Sequence, residues 1–110
     1  MTVTDRSGDA ATSELAASVG LADADLVSMY RYVALARAVD ERMWILNRAG
    51  RIPFVISGQG HEGAQVGLTW PLQKGHDWIA PFYRSIATCL TFGMSARDIG
   101  HRDKPSRCQS

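Results

Sequence analysis

An arginine follows a tyrosine in the second half of the chain, within residues 81–84 (Pro-Phe-Tyr-Arg). A guanidinium can give a phosphate two parallel charge-assisted hydrogen bonds, and the neighbouring phenol adds a third donor. Arg84 comes shortly after a predicted strand at 78–80, a position that suits phosphate recognition. The same pattern also fits a surface arginine beside an ordinarily packed Tyr83, and spacing alone favours this second interpretation.

A glycine-rich segment at residues 57–62 (Ser-Gly-Gln-Gly-His-Glu) precedes a predicted helix. Unpaired N–H groups at a helix N-terminus can bind an anion. His61 and Glu62 are adjacent and point in different directions on a helix, so they are not an obvious acid–base pair. The spacing matches neither a dinucleotide-binding fingerprint nor a phosphate loop. An anion site and a simple turn with a helix start therefore both remain open, and the second is favoured.

The remaining candidates have plainer interpretations. His76 lies near two tryptophans, Trp70 and Trp78, where a histidine is most often a packed or surface residue. Cys89, within an apolar predicted helix, is expected to be buried and inert. The sequence contains no complete Ser/His/Asp set and no metal-ligand cluster, so we assign no catalytic residue and no metal ligand.

The element that must position these groups is a long predicted helix over residues 23–49. Asp23 is the predicted N-cap, and Gly50 the residue that ends the helix in a left-handed conformation. One apolar stripe runs along it, formed by Tyr32, Leu35, Val39, Met43 and Leu46. The charged residues between them are interpreted as a solvated or interface face, with Arg37 paired to Glu41; they are Arg37, Asp40, Glu41 and Arg42.

The rest of the chain is predicted to be mainly α-helical with one or two short strands. The expected strands are residues 54–56 and 78–80, and the further helices cover about 61–70 and 85–92. Residues 95–98 have the pattern of a capping box, which predicts the start of another helix. Residues 1–22 are read as a flexible arm with a short helix at 13–18, and residues 101–110 as a divergent, disordered tail.

Composition excludes several classes of protein. The 110 residues include 12 Lys and Arg and 11 Asp and Glu, and the net charge of +1 argues against a nucleic-acid arm or an anionic membrane patch. The two cysteines, Cys89 and Cys108, have no disulfide-scaffold or zinc-finger spacing. We find no segment long and apolar enough for a membrane span and no secretory leader, and expect a cytoplasmic protein.

Several motifs, taken together and in order, resemble the alpha subunit of thiamine diphosphate-dependent 2-oxo acid dehydrogenases. The match is strongest over residues 29–31, 35–43, 54–67, 77–84 and 92–95, and it extends from about 23 to 99. The Gly-Gln-Gly-His-Glu stretch at 58–62 and the Asp-Trp…Pro-Phe-Tyr-Arg stretch at 77–84 resemble the branched-chain (2-oxoisovalerate) type. Residues 23–100 are thereby interpreted as the N-terminal part of the cofactor-binding domain, which in the whole family has an α/β thiamine diphosphate-binding fold.

The resemblance implies a function and a set of binding residues. Such enzymes are α2β2 heterotetramers that decarboxylate a 2-oxo acid and pass the acyl group to a lipoyl group on an acyltransferase component. By position, Phe82, Tyr83 and Arg84 fall where the family contacts thiamine diphosphate. Phe54 and Tyr83 fall at the substrate pocket, with Ser57 and His61 as weaker pocket neighbours. A pyruvate- or acetoin-type substrate is the alternative within the family.

The sequence also departs from the family. The segment that binds magnesium and the cofactor diphosphate, and the histidine that assists acyl transfer, have no counterpart in these 110 residues. Since Arg84 cannot replace magnesium, the chain alone is expected to be inactive. The patternless residues 101–110 suggest a truncation or a change of reading frame near Gly100. An inactive interaction module and a gene remnant are the alternatives outside catalysis.

Overall fold

The computed structural model describes residues 6–102 of the chain, with side chains over 11–100. The described residues form five helices: α1 (Arg6–Ser18), α2 (Asp23–Arg48), α3 (Glu62–Thr69), α4 (Ile86–Thr91) and α5 (Ala96–Arg102). The predicted helical character is confirmed over this part of the chain. Of the tail predicted to be disordered, residues 101–110, the first two end helix α5 and the remainder lies outside the described residues.

Helix α2 begins and ends at positions that local chemistry dictates. Its N-cap is Ala22 and not Asp23, so the predicted start is wrong by one residue. The carboxylate of Asp25 accepts a hydrogen bond from the Ala22 N–H at 3.0 Å, and negative charge is favourable in the first turn. At the other end Gly50 has φ +71°, which confirms the predicted left-handed stop, and the Arg51 N–H bonds the Leu46 carbonyl at 2.9 Å.

The core lies where α3 and α4 pack on one side of α2. Three residues of α2 are buried there at helical spacing, namely Ala36, Asp40 and Met43. Four of the five residues of the predicted apolar stripe face this core, since Met43 is buried and Tyr32, Val39 and Leu46 pack against it. The fifth, Leu35, is 41% exposed. The other buried apolar residues of this core are Ile52, Val66, Ala87, Cys89, Leu90 and Ile99.

Neither predicted strand is observed in the described residues. Residues 54–56 and 78–80 have no regular secondary structure. A strand is defined by hydrogen bonds to a neighbouring strand, and neither segment has such a partner in this part of the chain. Trp78 is 94% exposed, so its segment lies on the surface and not inside a sheet. The prediction of one or two strands was wrong here because it used side-chain preference without a pairing partner.

The shorter helices follow their sequence signals. The predicted helices at 61–70 and 85–92 are observed as α3 and α4, each slightly shorter. Helix α5 starts at the predicted capping box: the Ser95 hydroxyl oxygen accepts from the Asp98 N–H at 3.2 Å, and the Asp98 carboxylate accepts from the Ser95 N–H at 2.9 Å. None of the helices described here has both the length and the apolar character that a membrane crossing requires.

The segment interpreted as an arm contains helix α1, which is longer than the short helix predicted at 13–18. The helix ends at a glycine: Gly20 has φ +79°, and the N–H of Leu21 bonds the carbonyl of Ala16 at 2.9 Å. Ala16 is buried, whereas Leu15 is 69% exposed. The flexibility of this segment stays a prediction.

Candidate functional site

Arg84 lies in a turn that leads directly into helix α4. The Ser85 N–H bonds the Phe82 carbonyl at 3.0 Å, and the Ser85 hydroxyl accepts from the Phe82 N–H at 3.3 Å. The prediction that Arg84 follows a strand is thereby corrected, because the turn follows an extended segment without a strand partner. The position of the arginine is set by the first turn of α4.

The side chain and the backbone of Arg84 are held separately. Its Nη1 donates to the carbonyl oxygen of Ser57 at 2.9 Å. The Nε2 of Gln65 donates to the Arg84 carbonyl at 2.9 Å, and the Oε1 of Gln65 accepts from the Ala87 N–H at 3.1 Å. A second N–H, that of Thr88, reaches the same oxygen at 3.4 Å. One glutamine of α3 therefore fixes the backbone on both sides of the start of α4.

Gly58 allows the glycine-rich loop to approach Arg84 closely. A Cβ atom built on Gly58 would lie 2.9 Å from the Arg84 carbonyl oxygen, which is closer than real Cβ contacts allow. Gly58 is itself buried. The glycine is therefore needed at this position because a side chain would collide with the Arg84 backbone, and not for turn geometry, since its φ is not positive.

The carboxylate of Asp40, on α2, forms hydrogen bonds with the same glycine-rich loop. The residue is only 2% exposed. Its Oδ2 accepts from the Ser57 hydroxyl at 2.7 Å, and its Oδ1 accepts from the Gly58 N–H at 3.4 Å. The interpretation of Asp40 as part of a solvated or interface face was wrong, because the side chain is buried against a loop of the same chain. A buried carboxylate is tolerated here because the loop folds over it and supplies donors.

Glu62 and Arg37 form a second link between α2 and the loop. The Nε of Arg37 donates to Glu62 Oε1 at 2.6 Å, and the Gly60 N–H donates to Glu62 Oε2 at 2.8 Å. The Arg37 hydrogen bond, with a smaller contribution from the Gly60 N–H, holds the pKa of Glu62 below its usual value although burial opposes the shift. The predicted pairing of Arg37 with Glu41 is corrected, since its hydrogen-bonding partner is Glu62.

The backbone donors of the glycine-rich loop are used within the protein. Besides the N–H groups of Gly58 and Gly60, the Gln59 N–H reaches the Ser57 hydroxyl at 3.2 Å and the His61 N–H reaches the Gly58 carbonyl at 3.1 Å. Two of these four donors face carboxylates, which would repel a bound anion. The segment at 57–62 is therefore a turn and helix start, the favoured one of the two interpretations.

Two aromatic rings, those of Phe82 and Tyr83, lie next to Arg84, and Tyr83 shares a cleft with a third, Phe54. The rings of Phe82 and Tyr83 meet edge to face at 5.1 Å between centroids, and the Arg84 guanidinium lies 5.7 Å from the centroid of Tyr83. Phe54 and Tyr83 line one cleft of about 100 Å³. The cleft has apolar walls, and its other lining residues are Met43, Val55, Ile56, Ile86 and Ile99.

The structure thus brings together the residues predicted to bind cofactor and substrate, and leaves the aromatic ones accessible. Phe54, Phe82 and Tyr83 are 64%, 54% and 62% exposed. Ser57 lies behind Arg84 and binds it through its carbonyl. The side chain of His61 is exposed, and neither Ser57 nor His61 is among the residues that line the cleft in the described part of the chain.

This arrangement fits one end of a phosphorylated ligand. A guanidinium carries five N–H donors, and a hydrogen bond to Ser57 uses one of them. The remaining donors can bind phosphate oxygens, and the exposed Tyr83 lies beside them. Within residues 11–100, no three His, Cys, Asp or Glu side chains come together as a metal site. The described residues thus offer a guanidinium with unused donors to an anionic ligand, and they contain no cluster of metal-ligating side chains.

Three residues of the site were not found from the sequence as binding or positioning groups: Asp40, Glu62 and Gln65. One signal for Asp40 was available, because it lies four residues after Ala36 and three before Met43, at the spacing of the buried stripe. A single carboxylate at such a position indicates either that the apolar face of the helix is interrupted there or that the carboxylate is buried and accepts hydrogen bonds. Gln65 carried no comparable signal, since its role depends on how α3 meets α4.

The other sequence candidates do not join the site. Cys89 is buried, as predicted. The Nδ1 of His76 lies 3.3 Å from the carboxylate of its neighbour Asp77, and its side chain is 81% exposed. Trp70 packs edge to face on Tyr32 with 6.4 Å between ring centroids, so it serves the packing of α2 and not a cluster with His76.

Comparison with known proteins gives a family and several relatives. The family model described as "Dehydrogenase E1 component" matches residues 30–102. The chain is 52% identical over 82 residues to the 2-oxoisovalerate dehydrogenase subunit alpha of Bacillus subtilis (strain 168), a match that covers 74% of this chain and 25% of that protein. No solved structure matches the chain.

Relatives named for another substrate are less similar. The pyruvate dehydrogenase E1 component subunit alpha of Bacillus subtilis (strain 168) is 32% identical over 79 residues, covering 72% of this chain and 21% of its own length. That of Staphylococcus aureus (strain Mu50) is 29% identical over 92 residues, covering 84% and 24%. The chain thus spans about a quarter of the length of the curated relatives that it matches.

Proposed function

This chain belongs to the dehydrogenase E1 component family, and from that membership we propose that it supplies part of the cofactor-binding domain of a 2-oxoisovalerate dehydrogenase alpha subunit. The proposed reaction of the whole enzyme is the thiamine diphosphate-dependent oxidative decarboxylation of branched-chain 2-oxo acids, with acyl transfer to lipoamide. The observation that carries the proposal is the 52% identity to a 2-oxoisovalerate dehydrogenase alpha subunit, against 32% and 29% for the pyruvate dehydrogenase chains.

Arg84 and Tyr83 are the proposed contacts to the cofactor diphosphate, with Phe82 beside them. The support is geometric: Arg84 is held by Ser57 on one side and has Tyr83 at 5.7 Å on the other. A guanidinium binds phosphate with charge-assisted hydrogen bonds, and a phenol adds a neutral one. Thiamine diphosphate, when bound, supplies the electron sink for loss of CO₂ from a 2-oxo acid.

Phe54 and Tyr83 are the proposed wall of the substrate pocket. They share an apolar cleft with Met43, Ile86 and Ile99. An apolar wall stabilises a branched side chain and discriminates by roughly 1–3 kcal/mol per methylene. This supports a branched substrate over pyruvate, which has only a methyl group to bury.

The proposed partners are a beta subunit, in an α2β2 assembly, and a lipoyl acyltransferase. The proposal keeps the cytoplasmic location expected from the sequence. Magnesium belongs to it as well, with ligands supplied by segments other than residues 11–100, since these contain no metal-ligand cluster. Magnesium would neutralise diphosphate charge through oxygen ligands. We expect the 110-residue chain alone to give no decarboxylation with thiamine diphosphate, Mg²⁺ and 2-oxoisovalerate.

A chimera tests the proposed function. Residues 23–100 of this chain would replace the matching region of the Bacillus subtilis 2-oxoisovalerate dehydrogenase alpha subunit, expressed with its beta subunit. We expect decarboxylation of 2-oxoisovalerate to exceed that of pyruvate, measured as kcat/KM. Arg84→Ala should weaken thiamine diphosphate binding by at least tenfold, because a charged hydrogen bond contributes about 1.5–3 kcal/mol.

The control for the chimera is Arg97→Ala, which removes an exposed arginine of α5. Cofactor binding should be the same with and without this change. A folded chimera with its beta subunit that prefers pyruvate would contradict the branched-chain assignment. Cofactor binding that survives Arg84→Ala would contradict the proposed site.

A further inference from the structure

Two polar side chains near Arg84 have no contact with the proposed ligand cleft. They are Asp40 of α2 and Gln65 of α3. Together with Arg84 they line a small cavity of about 10 Å³ on the inner side of the turn, and none of the three lines the cleft beside Tyr83 in the described residues. Asp40 is 2% exposed and Gln65 is partly buried. Burying a carboxylate and an amide costs free energy unless their partners are supplied. Both have partners, and those partners connect to Arg84.

We propose that Asp40 and Gln65 are positioning residues, which hold Arg84 in the orientation that binds a diphosphate. The proposal rests on the proposed function for the identity of the ligand. In this proposal Asp40 and Gln65 do not touch the ligand themselves, and they act by fixing the position of Arg84, which does.

The connection from Asp40 to Arg84 passes through the loop. The carboxylate of Asp40 accepts hydrogen bonds from the hydroxyl and the following N–H of the Ser57–Gly58 pair. With both donors fixed, the Ser57 carbonyl points toward Arg84 and accepts its Nη1 at 2.9 Å. A buried carboxylate on a 26-residue helix is a rigid anchor for this turn.

The connection from Gln65 reaches the backbone. Its amide nitrogen holds the Arg84 carbonyl, and its amide oxygen holds the N–H groups of Ala87 and Thr88. That carbonyl is the group that Gly58 admits at close distance. Asp40 thus orients the guanidinium, and Gln65 orients the main chain that carries it.

Such an arrangement strengthens binding by removing freedom before the ligand arrives. An arginine side chain loses rotational freedom about several bonds when it binds a ligand, and immobilising such a side chain costs about 0.5–1.5 kcal/mol. An arginine held in advance has already lost that freedom. Loss of the anchor should therefore weaken diphosphate affinity by up to about tenfold while leaving the guanidinium itself in place.

The first measurement needs no ligand. Nitrogen-15 relaxation at the Arg84 guanidinium is recorded in the 110-residue chain and in Asp40→Asn, with Glu41→Gln as the matched control. Glu41 is the next residue of the same helix and is exposed. We expect increased motion of the guanidinium in Asp40→Asn, because an amide presents N–H to one of the two donors, and no change in Glu41→Gln. An equally rigid Arg84 in a folded Asp40→Asn chain overturns the proposal for Asp40.

A second pair of variants covers the case in which Asp40→Asn does not fold. Ser57→Ala removes the hydroxyl that Asp40 accepts, and Ser57→Thr keeps it. The guanidinium should become more mobile in Ser57→Ala and remain ordered in Ser57→Thr.

A third pair tests Gln65. Gln65→Glu replaces the donor to the Arg84 carbonyl by an oxygen and should increase the mobility of Arg84, whereas Gln73→Glu on the exposed surface should not. Equal mobility within each pair overturns the corresponding assignment.

The second measurement introduces the ligand. In the chimeric alpha subunit with its beta subunit, thiamine diphosphate titrations should show about tenfold weaker binding for Asp40→Asn and Gln65→Glu, with a larger loss for Arg84→Ala. If Arg84→Ala leaves binding intact, the proposed function of this site fails, while the relaxation data still decide whether Asp40 and Gln65 order Arg84. If Arg84→Ala abolishes binding but the positioning variants bind normally, the present proposal fails alone.

Discussion

The inner and outer sides of Arg84 are built in opposite ways. On the inner side, Asp40 and Glu62 bind the glycine-rich loop and Gln65 binds the turn at Arg84. No buried side-chain nitrogen or oxygen in the described residues lacks a hydrogen-bond partner. On the outer side, Phe54 and Tyr83 are more than half exposed. The inner side is therefore closed by hydrogen bonds within the described residues, whereas the outer side presents accessible aromatic surface.

This difference leads to different expectations for substitutions. A change on the inner side should disturb the fold, because buried polar groups would lose partners. A change on the outer side should leave the fold nearly intact and alter only binding. Three predictions test the contrast, in order of decreasing effect on stability.

The largest effect is expected at Gly58. Gly58→Ala places a methyl group 2.9 Å from the Arg84 carbonyl, so the loop or the turn must move. We expect a loss of about 1–3 kcal/mol of unfolding free energy, typical of overpacking. Chemical denaturation measures it.

Gly67→Ala is the matched control for Gly58→Ala. This glycine is in α3, and a Cβ atom added there has nothing within 4 Å. Alanine is the better helix former, so this variant should be more stable by roughly 0.5–1 kcal/mol. Equal effects of the two substitutions would show that the loop and the arginine are not in tight contact.

A smaller, pH-dependent effect is expected at Glu62. Its pKa is lowered in the folded chain, chiefly by the Arg37 hydrogen bond, from an ordinary value of 4.5. A lowered folded pKa means that the unfolded chain binds the proton more readily. The contribution is therefore fully present above about pH 4.5 and is lost as the pH falls through the lower folded value.

Thermal unfolding between pH 7 and pH 3 measures this contribution. The melting temperature of the wild type should fall more steeply below pH 4.5 than that of Glu62→Gln, which has no proton to bind at this position. Glu41→Gln, in which Arg37 keeps its partner, should follow the wild type. Parallel curves for the wild type and Glu62→Gln would mean that the pair with Arg37 does not stabilise the fold.

The smallest effect on stability is expected at the aromatic rim. Phe82→Ala removes a ring that is already 54% exposed, and Trp78→Ala one that is 94% exposed. Each should change the unfolding free energy by about 0.5 kcal/mol or less, as surface substitutions usually do. In the chimera, Phe82→Ala should still weaken thiamine diphosphate binding, and Trp78→Ala should not. If Phe82→Ala unfolds the chain, the ring contributes to the core, and the difference in stability between the inner and outer sides of Arg84 is contradicted.

The sequence predicted the scaffold better than the contacts inside it. The end of α2 at Gly50 and the start of α5 at Ser95 follow from local chemistry, in which a few neighbouring residues settle the outcome. The two strands were wrong because a strand depends on a partner elsewhere in the chain, and preference for extended backbone does not supply one.

Asp40 shows why the hydrogen bonds on the inner side of Arg84 could not be predicted from the sequence. Beside Glu41 and Arg42 it has the appearance of a solvated helix face, and its burial depends on a loop that arrives 17 residues later. Arg37 likewise has an acidic residue four positions on, yet its hydrogen bond goes to Glu62, 25 residues away. By contrast, Phe82, Tyr83 and Arg84 were identified through a resemblance in which spacing along the chain is preserved, and their binding roles stay predictions.

The approach of Gly58 to the Arg84 carbonyl has a consequence for how the chain assembles during synthesis. The two groups are 26 residues apart, so the glycine-rich loop can bind α2 through Asp40 early but cannot contact the turn until Arg84 has left the ribosome. We expect the contact between loop and turn to form together with the hydrogen bonds of Gln65. A released chain truncated before residue 84 should leave residues 57–60 more accessible to proteases than a released chain truncated after residue 100.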